Sequence, residues 1–334
     1  MRRRAQVSDP REFVDQCYRR LLGRPADPAG LEHFVGLLRE GLPRDEIVMS
    51  IATSAEYRLL MHDASSPRRR RPESYRLAVD LSGSSPFVAF DVRDASDFDW
   101  LETAILEDGY YEHAGVWSLE PDLDKRVMGQ LLASLGPRRA LEIGCSSGTV
   151  LRVLRDQGVY AEGVEISRMA HDRALPDIRE YIHVGDLLEL ELADTYDLVF
   201  GLDIFEHLNP NRLESYLAAI HERLVPDGWL FANIPAFGHD DVFGEVFPLY
   251  VPEWEHDVAA GRCFRVLHCD DDGYPMNGHL IWAHTDWWVD QFTNAGFERQ
   301  PAVEAELHEK FAEYLQTAPA RRSFYAFRTR TRHP

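Results

Sequence analysis

Glu142, Gly144, Gly148 and Glu165 are the residues whose types and spacing most directly suggest chemistry. A short apolar run, Ala140 to Ile143, ends abruptly at Gly144, and Gly148 follows four residues later. This is the pattern of a buried parallel strand that turns sharply into a helix. Gly144 permits a tight turn without a Cβ, so the backbone can approach a ligand closely. The helix expected over 149–157 presents its free N–H groups to the same crevice. Glu165 stands 21 residues after Gly144, closing a second apolar run, Ala161–Ile166. A carboxylate at that distance is placed to accept hydrogen bonds from ribose hydroxyls. Together these residues predict a nucleoside-binding half-fold.

A second group suits proton transfer. In LDIFEHLNP, Asp203, Glu206 and His207 fall in a loop beyond the end of an apolar strand, and Asn209-Pro210 caps the next helix. An imidazole titrating near neutrality can take a proton from a hydroxyl. His207 is therefore a candidate base, oriented by Asp203 or Glu206; the alternative is a histidine that only packs within its loop. His279, in GHLIWAHTDWW, is a second candidate from the acceptor side. Asp186 follows the third strand and either contacts a ligand or caps a turn.

The glycine run discriminates between cofactors. A dinucleotide fingerprint has a second glycine where this chain has Ser146. The run E-x-G-x-x-x-G resembles motif I of the class I S-adenosylmethionine (SAM)-dependent methyltransferases, with Glu142 in the acidic slot. VEIS at 164–167, GD at 185–186, YDLVFGLDIFEHL at 196–208 and LVPDGWLFANIP at 224–235 follow in the family's order. The resemblance covers roughly 110–330. It implies an α/β fold: a Rossmann-like, doubly wound, seven-stranded sheet whose last strand, SFYAFRTR, is antiparallel. It also implies SAM as cofactor. Glu142, Gly144, Cys145 and Gly148 would then lie on the methionine and ribose side. Glu165 would hold the ribose, Ile166 would pack on the adenine face, and Asp186 with Leu187 would reach the adenine amino group. Similar members read E-V-L-E-H where this chain has Asp203 to His207, so Asp203 is a shorter acid, counted here with both the cofactor and the proton-transfer residues. Methyl transfer draws its activation from the sulfonium, which leaves the protein to align the acceptor and remove its proton.

These residues need a scaffold. Strands are expected near 139–143, 160–165, 181–184, 196–201 and 228–233, with helices near 149–157, 168–174, 210–224 and 285–296. Such alternation means a parallel sheet with helices on both faces. Ahead of it, 91–135 reads as helical around an aromatic segment, DGYYEHAGVW, holding Glu112 and His113. In the methyltransferases the segment before motif I covers the cofactor, so Tyr110, Tyr111 and Trp117 either line the site or belong to the core. Residues 236–284 are long for a connection and suggest a substrate cap. Within it Trp282, Trp287 and Trp288 could stack on a sugar, although the last two continue a helical core stripe.

The N-terminal 62 residues form a small all-α unit. Asp9-Pro10 and Asp27-Pro28 are helix starts, Gly23 and Gly41 are stops, and Pro43 opens a third helix. The segment closely resembles a bacterial domain of unknown function related to the phycobilisome linker repeat, which implies docking or oligomerisation. Residues 63–90, rich in Arg, Pro and Ser, read as a linker, leaving 91–334 as the methyltransferase domain.

Composition limits the partners. The chain has 334 residues, 36 basic and 56 acidic, for a formal charge of −20. That balance argues against a nucleic-acid backbone as partner. Four scattered cysteines without a C-x-x-C pair suit a reducing cytoplasm, and no apolar run approaches the ~18 residues of a membrane span. No metal is expected, since zinc-type spacing is missing; near Cys263, His268 and Cys269, only magnesium would suit Asp271 and Asp272. The function expected is methyl transfer to a sugar or glycan hydroxyl with a His/Asp base. The alternatives are a small-molecule or quinone-type O- or C-methyltransferase, or a non-catalytic nucleoside-binding scaffold.

Overall fold

The computed structural model describes residues 9–22, 24–52, 54, 67–80, 86–112, 120–192 and 194–330. His113, Trp117 and the stop glycine Gly23 lie outside them. The chain divides into two compact units, 1–90 with 268–274, and 91–267 with 275–334.

In the first unit three helices span Pro10–Leu21, Pro28–Arg39 and Arg44–Ala52. Asp9 and Asp27 cap the first two through their side chains, accepting from Arg11 N and Gly30 N, and a proline follows each cap. Val14, Cys17, Tyr18, Val35, Ile47 and Ile51 form their shared core. The stretch expected as a linker is not plain linker. Within it, β1 (Tyr75–Val79) pairs antiparallel with β2 (Pro86–Asp91), Tyr75 opposite Phe90 and Val79 opposite Pro86. Burial of Ala78 and of the FVAF run, Phe87 to Phe90, drives this pairing, whereas Leu77 and Val79 stay exposed. Short, broken by Ser and Pro, and next to an arginine run, the two strands carry a weak periodic signal.

The second unit is built on a seven-stranded sheet. Its strands are β3 (Arg139–Ile143), β4 (Tyr160–Glu165), β5 (Ile182–Val184), β6 (Tyr196–Leu202), β7 (Leu224–Asn233), β11 (Phe297–Arg299) and β12 (Phe324–Thr329). They lie in the order β11-β12-β7-β6-β3-β4-β5. β3 to β7 are parallel, whereas β12 runs antiparallel to β7 and to β11. The expected fold class is thus the observed one. Strand β3 sits between β4 and β6, which explains why Ala140 to Ile143, Glu142 included, are all buried.

Between β7 and β11 the chain makes two short strands, β8 (His239–Asp240) and β9 (Gly244–Glu245). A helix, Pro252–Ala259, and a strand, β10 (Val266–Cys269), follow. Phe237, Trp254, Phe264 and Trp282 pack together here, with Trp254 and Phe264 stacked at 4.4 Å and Phe237 and Trp282 at 5.4 Å. Trp282 is only 7% exposed and Trp288 is fully buried, so neither offers a face to a sugar. No helix among the described residues is long and apolar enough to cross a membrane.

Candidate active site

Gly144 leaves β3 at φ +69° and Gly148 opens the following helix, Thr149–Asp156, at φ +74°. Both turns leave no room for a Cβ: at Gly144 it would lie 2.6 Å from Ile204 Cδ1, and at Gly148 2.5 Å from Ile178 Cγ2. Gly144 and Cys145 donate their N–H groups to Val164 O, which ties the loop to the end of β4. Cys145 itself turns inward and joins the core beneath the loop.

Glu165 closes the cradle. Its Oε2 accepts from Ser146 N and its Oε1 from Ser167 N, each at 2.7 Å, so one buried carboxylate joins the β3 and β4 loops. Each oxygen retains a further lone pair for a hydroxyl donor. Burial raises the Glu165 carboxyl above its ordinary range, and the two N–H bonds pull it part of the way back. Ile166 beside it stays 47% exposed, an apolar side chain left uncovered next to polar acceptors. Glu142, buried on β3, carries an Oε2 without a hydrogen-bond partner among the described residues, and burial pushes its carboxyl well up.

Two residues are placed differently from the rest. Asp186 is already committed: Oδ1 accepts from Leu188 N, and Oδ2 accepts from Arg212 Nη2 at 2.9 Å and Tyr216 Oη at 2.7 Å. That is the turn-capping arrangement. Leu187 is buried in the core with Ile143 and Val164.

Segment 108–112 reaches the same edge of the sheet. Glu112 accepts from Arg168 N and Met169 N, each at 3.1 Å, at the start of the helix after Glu165. Its neighbour Tyr111 hydrogen-bonds His207 Nδ1 at 3.2 Å and Gly278 O at 3.4 Å. Tyr111 therefore stands between the Glu165 loop and the histidines.

Beyond β6 the chain turns at Asp203 (φ +53°) into a single helical turn, Phe205–His207. Asn209 fixes the exit by donating to Asp99 at 2.8 Å and Glu102 at 2.9 Å. Ile281 N donates to Glu206 O, which brings the end of the 236–284 segment alongside. His207 and His279 consequently meet edge to face, with ring centroids 4.7 Å apart. Glu206 is fully buried, with Oε1 3.8 Å from His279 Nε2. Burial, and then the Asp203 charge, push the Glu206 carboxyl well above its usual range. Burial lowers His207 to about 4 and His279, also facing His207, to about 3. Burial thus favours the neutral form of both imidazoles and makes each a weaker proton acceptor than a free imidazole. One ligand atom each of Glu206, His207 and His279 lies within 4.8 Å of the others.

Asp203 is held elsewhere. Its Oδ2 accepts from Arg321 Nη1 at 2.5 Å, and Arg321 also donates to Asn233 Oδ1 and to both oxygens of Asp124. Burial would push the Asp124 carboxyl up, but the Arg321 hydrogen bonds and charge hold it well below the usual carboxylate range. Arg321 stands in none of the sequence motifs. The available signal for Arg321 was a basic pair set directly before a buried strand.

Residues 120–300, more than half of the chain, match the family model of a methyltransferase domain. Residues 2–61 match that of a domain of unknown function, DUF4214. The ubiquinone biosynthesis O-methyltransferase of Burkholderia lata is 26% identical over 140 residues, 38% of this chain and 59% of that protein. The cyclopropane-fatty-acyl-phospholipid synthase of Escherichia coli is 28% identical over 165 residues, 47% of this chain and 38% of that protein. The chain thus spans less than two thirds of the length of either relative. Among solved structures, a SAM-bound amino pentose methyltransferase from Micromonospora echinaspora aligns with 67% of this chain and 96% of its own, at 18% identity and TM-score 0.40. The chain belongs to the methyltransferase-domain family, the enzyme class that its motif order implies.

Proposed function

We propose that the chain is a SAM-dependent methyltransferase that methylates a hydroxyl of a sugar or glycan. The observation that carries this reading is the Glu165 carboxylate, which bridges the two loops at the strand ends with exposed Ile166 beside it. Ribose hydroxyls donate to the remaining lone pairs of Glu165, the adenine packs on Ile166, and Gly144, Cys145 and Gly148 supply the backbone wall next to Glu142. Asp186 and Leu187 support the adenine end from behind, because their own contacts are already made.

The acceptor hydroxyl gives up its proton at the His207–His279 pair, which lies in the loops beyond the same strand ends, as ligand sites of open α/β sheets do. SAM, when bound, would supply a methyl group to the acceptor oxygen, its sulfur keeping the electron pair of the broken bond. Asp203, ion-paired to Arg321, anchors the loop that presents His207. The sugar assignment rests on the GHLIWAHTDWWVDQFTNAGF segment, which resembles methyltransferases found among glycan-assembly enzymes. A quinone-type small-molecule acceptor is the second reading, favoured by the Burkholderia lata relative. The four cysteines are free thiols, in keeping with a reducing cytoplasm, and the helical N-terminal region serves protein–protein contact.

The test is transfer of labelled methyl from SAM to nucleotide sugars and glycans, with catechols as the competing panel. Labelling of a sugar hydroxyl that is lost in Glu165→Ala supports the reading. Labelling of catechols alone moves the chain to the quinone-type class, and labelling of neither, without cofactor binding, leaves the scaffold.

A further inference from the structure

We infer that Glu206, His207 and His279 form a site for one divalent first-row cation of the zinc type. Glu206 is 0% exposed, and neither of its carboxylate oxygens has a hydrogen-bond partner among the described residues. A buried carboxylate of this kind is strongly disfavoured unless it is paired, protonated or bound to a metal. Here two imidazoles converge on it. His279 Nε2 lies 3.8 Å from Glu206 Oε1, and the three candidate ligand atoms fall within 4.8 Å of one another.

Those spacings suit a metal that draws its ligands inward. Bonds of ~2.0–2.1 Å place tetrahedral ligand atoms ~3.3 Å apart, so a contraction of about 0.5 Å for Glu206 and His279, and of at most about 1.5 Å for any pair, completes the site. Two nitrogens and one carboxylate select zinc-like cations over magnesium or calcium, which take oxygen ligands. The Tyr111 hydroxyl holds His207 Nδ1 at 3.2 Å, which leaves Nε2 as the nitrogen to ligate, the usual division of labour for a ligating histidine.

The third ligand comes from an unexpected element. Asp203 precedes Glu206 by three residues, yet Arg321 occupies its Oδ2. The turn at Met276–Gly278 instead presents His279, and Ile281 N pins that segment to Glu206 O. Three protein ligands leave an open position. On the methyl-transfer reading, with the cation bound, the imidazoles would serve as ligands instead of as the base named above, the acceptor oxygen would take the open position, and its proton, made more acidic by the cation, would pass to water. The cation site itself does not depend on that reading.

The test uses the full chain, stripped with a chelator and titrated with Zn2+, with Co2+ as a spectroscopic probe. Expected are one Zn2+ per chain, a rise in Tm, and the visible absorption of a low-coordinate Co2+ site. His279→Ala and Glu206→Gln should weaken binding by about 100-fold or more, beyond the effect of outer-shell partners. Glu206→Gln is nearly isosteric and removes an unpartnered buried charge, so the apoprotein should melt no lower than wild type while losing the Zn2+-induced rise. His256→Ala, an exposed histidine, should bind as wild type does. Absence of Co2+ absorption in the wild type, or binding that survives both ligand variants, would overturn the site. Titration of the metal-free chain with S-adenosylhomocysteine reports the cofactor reading separately.

Discussion

Arg321 and Asp203 are joined at 2.5 Å although 118 residues separate them in the chain. This contact decides how the acidic loop after β6 is used. A carboxylate paired to a guanidinium that also grips Asp124 bidentately is a strut, because the same fork of donors fixes both acids in place. The pair is unequally exposed, Arg321 at 13% and Asp203 at 39%, so the weight of the network falls on the arginine.

Arg321→Met should therefore destabilise the domain by about 2 kcal/mol, less than the ~3–5 kcal/mol of a fully buried pair, because solvent screens the half-exposed Asp203 and Asp124 keeps Lys125 and Tyr314 as donors. Asp203→Asn, which keeps an acceptor at a half-exposed position, should cost under about 1 kcal/mol. Urea melts followed by circular dichroism measure both, and equal costs would remove the strut role.

Little of this network was legible in the sequence, whereas the sheet was. Apolar runs such as Ala140–Ile143 and the residues of FGL before Asp203 mark strands because the strand must be apolar on both faces to sit centrally. Gly144 marks the turn because no side chain fits there. Arg321 carries no comparable mark: its meaning depends on Asp203, Asn233 and Asp124, which only the fold brings together. For the same reason Trp282, read as a ring for stacking a sugar, proves to be stacked already on Phe237. Glu206 reads as a loop acid, since burial of a single helical turn has no periodicity of its own.

Gly144→Ala should lower stability by about 1–2 kcal/mol from the left-handed backbone alone. It should also displace Ile204, whose Cδ1 lies 2.6 Å from the added Cβ, and with it the loop bearing Glu206 and His207. Weaker S-adenosylhomocysteine binding together with a lower melting temperature is the expected pair of results. An unchanged affinity would mean that the loop absorbs the methyl group without disturbing the cradle.

Cofactor binding should depend on pH through Glu165. Burial raises its carboxyl, and only the ionised form offers all of its lone pairs to ribose hydroxyls. Affinity should hold at neutral pH and fall as pH drops through the raised value, earlier than for an ordinary carboxylate. Glu165→Gln should bind weakly at every pH, with no such inflection. A wild-type profile that is flat down to the usual carboxylate range would contradict this.

Trp282→Ala should cost about 3–5 kcal/mol, as expected for a buried aromatic. Trp282→Phe should recover most of that loss. Thermal melts distinguish this from sugar stacking, which would leave stability intact and raise the KM for the acceptor.

The most direct test of the central claim is isothermal titration of the wild-type chain with S-adenosylhomocysteine. A one-to-one complex in the micromolar range, about −8 kcal/mol, that Glu165→Ala weakens at least tenfold is the predicted result. No heat of binding from chain shown to be folded by circular dichroism would contradict the cofactor site, and with it the proposed methyl transfer.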